Sequence, residues 1–388
     1  MRSKGRANLQ NLYNQIRLEG VSRIFITAKM TIKEKIRFSG LAWLFLFVLF
    51  VGCQKAVIKP HAGNDSKTGV IKYSLIFVIH GDASYLYHDQ EGKAKYADKD
   101  LVRQAIDVAT HLEQSEVFIY HQRPKKRFLL FFTKDKSVFY HYKNGRLVEK
   151  GDYAREHSVA TFETEAKHYQ NASIRYSETP PPDSIKTIML YYGHELPLLP
   201  ERGYHASFSD IHFSHLEFAS ALSNFFPNEI KPIDLLVLST CRGGNPVVVS
   251  ALAPLTRFLI ASPENLHLSH LDAELLSTTL ADDNRSLSEK SLQFTEQAFR
   301  RLERRTQTVV TVALYDIDEV VSYADSISEH FYQKAKAYPE TFSHIEYLDC
   351  KSESLPLKGV NIFFRAPRFG HSSSRSFHSG WQCVRLIP

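Results

Sequence analysis

One thiol and one imidazole, each at the end of an apolar run, are the groups in this 388-residue chain best suited to covalent chemistry. Cys241 closes the run Ile233-Asp234-Leu235-Leu236-Val237-Leu238-Ser239-Thr240 and is followed by Arg242-Gly243-Gly244-Asn245-Pro246. His194 follows Ile188-Met189-Leu190-Tyr191-Tyr192 after Gly193. A thiol attacks as thiolate, and its ordinary pKa of about 8.5 falls beside a cation or at a helix N-terminus. Arg242 supplies the cation, and Asn245-Pro246 suits the cap and first residue of a helix. An imidazole titrates near neutrality and can protonate a leaving amine. Backbone N–H groups of Cys241 and Glu195 are positioned by sequence to hold an oxyanion. These types in this order point to a hydrolase with Cys241 as nucleophile and His194 as general acid/base. His80, in His80-Gly81-Asp82 at the end of an earlier run, is the rival imidazole.

Strands alternating with helices must position these groups. Apolar runs predict strands at Tyr73–Ile79, Val117–Tyr120, Ile185–Tyr192, Ile233–Thr240, Arg257–Ala261, Thr308–Leu314 and Val360–Arg365. Helical spacing marks Asp98–Leu112, Phe213–Phe226, Ser286–Arg305 and Ile317–Lys336. The pattern predicts an α/β fold, a mainly parallel sheet covered by helices on both faces. Ligands in such folds bind outside the carboxyl ends of the strands, where His194 and Cys241 both fall. Residues Arg127–Val148 read as a β-meander inserted in this frame, with Asn144-Gly145 as a hairpin turn.

The formal charge of +6 belongs to the leader. Residues 1–52 carry nine basic and two acidic side chains, which leaves 39 basic against 40 acidic in the remainder. So balanced a body has no electrostatic footprint for nucleic acid. Lys33, Lys35 and Arg37 precede the apolar stretch Leu41–Val51, which is shorter than the about 20 residues of a membrane span. It fits a secretory signal. Phe50-Val51-Gly52-Cys53 resembles a bacterial lipobox, which implies lipid attachment at Cys53, a membrane partner and a place in the cell envelope. Met30 stands where such a signal starts. The expected division is a leader (1–52), a polar tether (53–70) and one domain (71–388). With Cys53 lipidated, a Cys350–Cys383 pair would leave Cys241 as the odd thiol outside the cytosol.

From about residue 71 to 365 the chain resembles the clostripain-like cysteine peptidases. The resemblance rests on Ile188–His194, on Leu216-Glu217-Phe218-Ala219-Ser220-Ala221-Leu222, on Asp234–Cys241 and on Phe258-Leu259-Ile260-Ala261-Ser262-Pro263-Glu264. Leu238-Ser239-Thr240-Cys241-Arg242-Gly243 is also similar to the CHAT proteases. The resemblance implies a caspase-like three-layer αβα sandwich, endopeptidase activity and a Cys241–His194 dyad acting on a peptide or protein substrate. Family members carry His-Gly at the dyad histidine, where this chain has His194-Glu195. They often have Asp two residues before the cysteine to receive a basic substrate side chain. Here that position is Ser239, with Glu264 or Asp210 as the acidic substitutes for a substrate pocket.

His205, His212 and His215 have spacing a zinc site would use, but no carboxylate completes a motif, so neither metal nor cofactor is expected. The alternative function class is a non-catalytic surface lipoprotein that keeps the fold for protein binding.

Overall fold

The computed structural model describes residues 70–387 apart from 83–84, 90, 125, 129–131, 135, 155–160, 178–184, 200–213, 267–268, 338–343 and 351–357. The leader, the tether up to residue 69 with Cys53, and His205, Asp210 and His212 lie outside the described residues.

In chain order the elements are β1 (Tyr73–His80), the short pair β2 (Leu86–His88) and β3 (Ala94–Tyr96), α1 (Ala97–His111) and β4 (Ser115–Gln122). Next come a second short pair, β5 (Lys126–Phe128) and β6 (Phe132–Lys134), then β7 (Lys136–Lys143), β8 (Arg146–Ala154) and α2 (Glu163–Ala172). The middle of the chain forms β9 (Lys186–Tyr192), α3 (His215–Ser223), β10 (Ile233–Ser239), α4 (Pro246–Leu252), β11 (Thr256–Ala261) and α5 (Leu276–Leu280). The remainder forms α6 (Leu287–Arg305), β12 (Val310–Asp316), α7 (Ile317–Ala337), β13 (His344–Asp349), β14 (Val360–Arg365) and β15 (Gln382–Ile387).

Nine strands make one sheet in the order β14-β12-β11-β10-β9-β1-β4-β7-β8. Its centre, β11-β10-β9-β1-β4, is parallel. Central strands are buried on both faces, so they read as unbroken apolar runs; every residue of β1 is buried. Alternate residues feed two cores. Ile76, Val78, Met189, Tyr191, Leu236 and Leu238 pack with residues of α2, α3, α4 and α7. Leu75, Phe77, Ile188, Leu190, Leu235 and Val237 pack with residues of α1, α5 and α6. This is the expected α/β sandwich, a mainly parallel sheet flanked by helices on both faces.

The polar ends of the helices close locally. Ser214 and Glu217 form a capping box on α3, and Ser286 and Glu289 form another on α6. Among the described residues no helix is long and apolar enough to cross a membrane.

Two features differ from the sequence-based expectation. The β7–β8 hairpin extends the main sheet: β7 pairs antiparallel with β4, and the Asn144-Gly145 turn takes the left-handed angles (φ 50° and 77°) of a tight hairpin. It joins because Val138 and Tyr142 bury their side chains. The pair β13–β15 was not expected, since both strands are short and mix charged with apolar residues. The disulfide Cys350–Cys383 fastens its end with Cα atoms 5.0 Å apart, and Cys241 is in no disulfide.

Candidate active site

The sheet sets the location. From β1 the chain moves outward to β4 on one side, then returns to β9 on the other side and continues to β10 and β11. The carboxyl ends of β1 and β9 therefore flank a crevice at the point where the winding direction reverses. The segment after β1 carries Asp82 and Tyr85, the segment after β9 carries His194, and the turn after the neighbouring β10 carries Cys241.

His194 is held at both ring nitrogens. Its Nε2–H donates to the Asp82 carboxylate at 2.6 Å, and Asp82 is almost fully buried. In the neutral ring this leaves Nδ1 as an acceptor, which takes the Tyr85 O–H at 2.6 Å. The Cys241 S–H donates to Asn265 Oδ1 at 3.2 Å, and the Leu266 N–H donates to the sulfur at 3.4 Å. Cys241 is partly exposed. Burial, then the charges of Cys241, Asp82 and Glu195, push the Tyr85 phenol well above its ordinary value, so the phenol shares an electrostatic environment with the thiol.

The turn after Cys241 is built by close approach. Arg242 takes the left-handed conformation (φ 53°), which costs a non-glycine residue on the order of 1–3 kcal/mol. Three contacts hold it there. Its N–H donates to Glu264 C=O at 3.1 Å, its guanidinium pairs with Glu195, and it lies 4.1 Å over the Tyr347 ring. Tyr347 also donates to Glu195, so the residues following the imidazole and the thiol are clamped together. Gly244 is needed for space: a Cβ there would lie 2.3 Å from the Tyr315 hydroxyl and 2.9 Å from Pro263 backbone. Asn245 caps α4 through Val247 N–H at 2.8 Å with Pro246 in its first turn, as the sequence predicts.

Other sequence candidates fall elsewhere. His80 is buried in the core, edge-on to Phe162 and Tyr191 and hydrogen-bonded to the Tyr191 hydroxyl. Ser239, expected beside a substrate pocket, is fully buried, and its Oγ accepts from Leu271 N–H at 2.8 Å. Both faces of this sheet are covered, so a polar residue late in β10 points into a packed layer. The Glu264 carboxylate faces Arg375 at 3.5 Å and His378 at 3.2 Å. His215 donates Nδ1–H to Pro197 C=O and bonds the Tyr332 hydroxyl through Nε2. Burial pushes it down to about 4, so it is a neutral structural histidine at the start of α3.

Sequence reading missed Asp82 and Tyr85 as partners of His194. Asp82 lies in the His80-Gly81-Asp82 segment at the end of β1. The signal was a carboxylate two residues past a parallel strand.

No protein-family model and no curated protein matches the sequence. Solved structures do match the fold. One is a secreted C11 cysteine protease from Bacteroides thetaiotaomicron, called iotapain (TM-score 0.52, 13% identity, 81% of this chain and 94% of that one). Another is an inactive zymogen C11 protease from Parabacteroides distasonis (TM-score 0.51, 13% identity, 83% and 94%). The chain has the fold of the C11 cysteine proteases. In this fold His194 follows β9 and Cys241 follows the neighbouring β10.

Proposed function

We propose that this chain is a cysteine endopeptidase that hydrolyses peptide bonds through Cys241 and His194. The reading is supported by the Asp82–His194 bond at the reversal point of a C11-type sheet, with Cys241 in the turn after the neighbouring strand β10. The Cys241 thiolate attacks the scissile carbonyl, and the imidazolium of His194 returns a proton to the leaving amine. Asp82 fixes the ring orientation and favours the imidazolium that forms. Backbone N–H groups of Cys241 and Glu195 hold the tetrahedral oxyanion. The catalytic domain spans residues 71–388.

A panel of fluorogenic peptides tests the reading. Cleavage by the wild type that disappears in Cys241→Ala supports it, and a wild type that cleaves none of them favours the non-catalytic binding module. Asp82→Asn should lower kcat about 10²-fold or more, because an amide no longer fixes the imidazole tautomer. A pH–rate comparison showing equal kcat in both proteins would remove Asp82 from the mechanism.

The peptidase is tethered to a bacterial envelope membrane by lipid on Cys53, after removal of the leader; this rests on Phe50-Val51-Gly52-Cys53 and the basic residues before it. Cys53→Ser should move the protein from the membrane pellet to the soluble fraction and abolish incorporation of a labelled fatty acid. Retention in the pellet with label still present would place the anchor elsewhere.

A further inference from the structure

The turn that carries Cys241 is buttressed from outside the main sheet. The Gln382 N–H, at the first residue of β15, donates to Gly244 C=O at 3.1 Å, three residues past the thiol. The chain is anchored just before this point. Trp381 is fully buried against Tyr315 and Tyr323, with ring centroids 4.7 and 5.2 Å away, and Tyr315 donates to Gly380 C=O. Strand β13 pairs with β15 in a separate two-stranded sheet, Tyr347 opposite Val384 and Leu348 opposite Cys383. Tyr347 is the residue that reaches the site: its hydroxyl holds Glu195, and its ring lies under the Arg242 guanidinium. Glu195 and Arg242 directly follow His194 and Cys241, and Arg242 is the residue held in the left-handed conformation. Residues 345–349 are partly exposed or exposed, and a two-stranded sheet is marginally stable by itself. The covalent bond from Cys350, the residue after β13, to Cys383 of β15 therefore ties the strand that carries Tyr347 to the strand bonded to the Cys241 turn.

We propose that the Cys350–Cys383 disulfide is a redox switch on the site. Intact, it keeps Tyr347 on the Glu195–Arg242 pair and the Cys241 turn in its working conformation; opened, it releases that clamp. Tyr347 is thus a positioning residue, acting on the thiol through Arg242. The effect on cleavage rests on the assignment of Cys241 above. The reductant is a dithiol. One of its thiolates attacks Cys383, which is partly exposed whereas Cys350 is buried. The S–S bond breaks, a mixed disulfide forms at Cys383, and Cys350 leaves as a thiolate that takes up a proton. The second thiolate of the dithiol then attacks its own partner sulfur and frees Cys383. The dithiol ends as a disulfide, and two electrons and two protons have passed to the protein.

Amide hydrogen exchange of the full-length chain reads the turn without any substrate. The Arg242 N–H is bonded to Glu264 C=O and the Gly244 N–H to Ser262 C=O, each at 3.1 Å. After dithiothreitol opens the disulfide, a peptide covering residues 240–246 should exchange at least about tenfold faster, while peptides from β1 and β10 keep their protection. Tyr347→Ala should loosen the turn without reductant, and Tyr347→Phe, which keeps the ring under Arg242, should loosen it less. Cys350→Ser combined with Cys383→Ser should be loose from the start and indifferent to dithiothreitol; if that variant fails to fold, the folded and then reduced wild type carries the test. On a cleaved peptide, the double-serine variant should show kcat lowered about tenfold with KM little changed. An unchanged turn in protein whose mass shows the bond open would overturn the switch. So would an equal loss of protection in β1 and β10, which would make the disulfide a general staple, or an unchanged kcat in the double-serine variant. Exchange needs no peptide substrate, so a chain that cleaves nothing but loosens at the turn keeps the switch and loses the peptidase assignment.

Discussion

Cys241→Ala is expected to lower peptide cleavage by at least about 10⁴-fold while leaving the fold intact. No other described thiol is free to replace it, since Cys350 and Cys383 are joined to each other. The thiol is partly exposed, and its bonds to Asn265 Oδ1 and from Leu266 N–H are long, so its removal should cost no more than about 1 kcal/mol. Activity and stability should therefore separate: the melting temperature stays within a few degrees while turnover is lost. Cys241→Ser should be nearly as inactive, because an alcohol is far harder to ionise beside the same imidazole. Progress curves at high enzyme concentration check this. A residual rate within tenfold of wild type would place the nucleophile elsewhere.

Asp100→Asn should destabilise the fold by about 3 kcal/mol and loosen the loop that carries the thiol's partners. Asp100 is buried and accepts from Tyr87 at 2.6 Å, Arg103 at 2.9 Å, Gln104 at 3.3 Å and His270 at 3.2 Å. Burial alone would push its carboxyl up, but the bonds from His270, Tyr87 and Arg103 outweigh it and hold the group well below the usual carboxylate range. A depressed folded-state pKa means this stability is fully present above about pH 4, the unfolded value, and is lost as pH falls further. The wild type should weaken between about pH 4 and pH 2 more steeply than Asp100→Asn, which has no carboxyl to titrate there. Urea melts across that range measure the difference; parallel curves would show that Asp100 contributes nothing through its charge. The loop concerned carries the partners of the thiol. His270 and Leu271 follow Asn265 and Leu266, and Asp272 is tied to Gln104, Arg301 and Arg305. Asp100→Asn should therefore also slow alkylation of Cys241.

The elements were legible because their signals are local. β1, β9 and β10 are continuous apolar runs, α1 and α6 show helical spacing, and Asn144-Gly145 and Asn245-Pro246 have conformational preferences of their own. The turn after Cys241 is set by its surroundings more than by its own residues. The left-handed residue of that turn is Arg242, and Gly244 is there because Tyr315 and Pro263 leave no room for a side chain. That crowding comes from residues distant in the chain. Strand β13 was hidden because His344–Asp349 mixes polar and apolar residues without a clean period.

By itself the sequence determined that this is an α/β chain in which a thiol and an imidazole terminate two runs of strand residues. Which groups meet them is a tertiary matter. Asp82 and Tyr85 stand more than a hundred residues before His194, and only the reversal of strand order between β1 and β9 brings them to its ring. The same register carries His80 into the core and Ser239 into a packed layer, although both sit at strand ends like the site residues. Local propensity dictates where a strand stops; the winding of the sheet and the covering of its faces decide which stopped strand opens onto solvent.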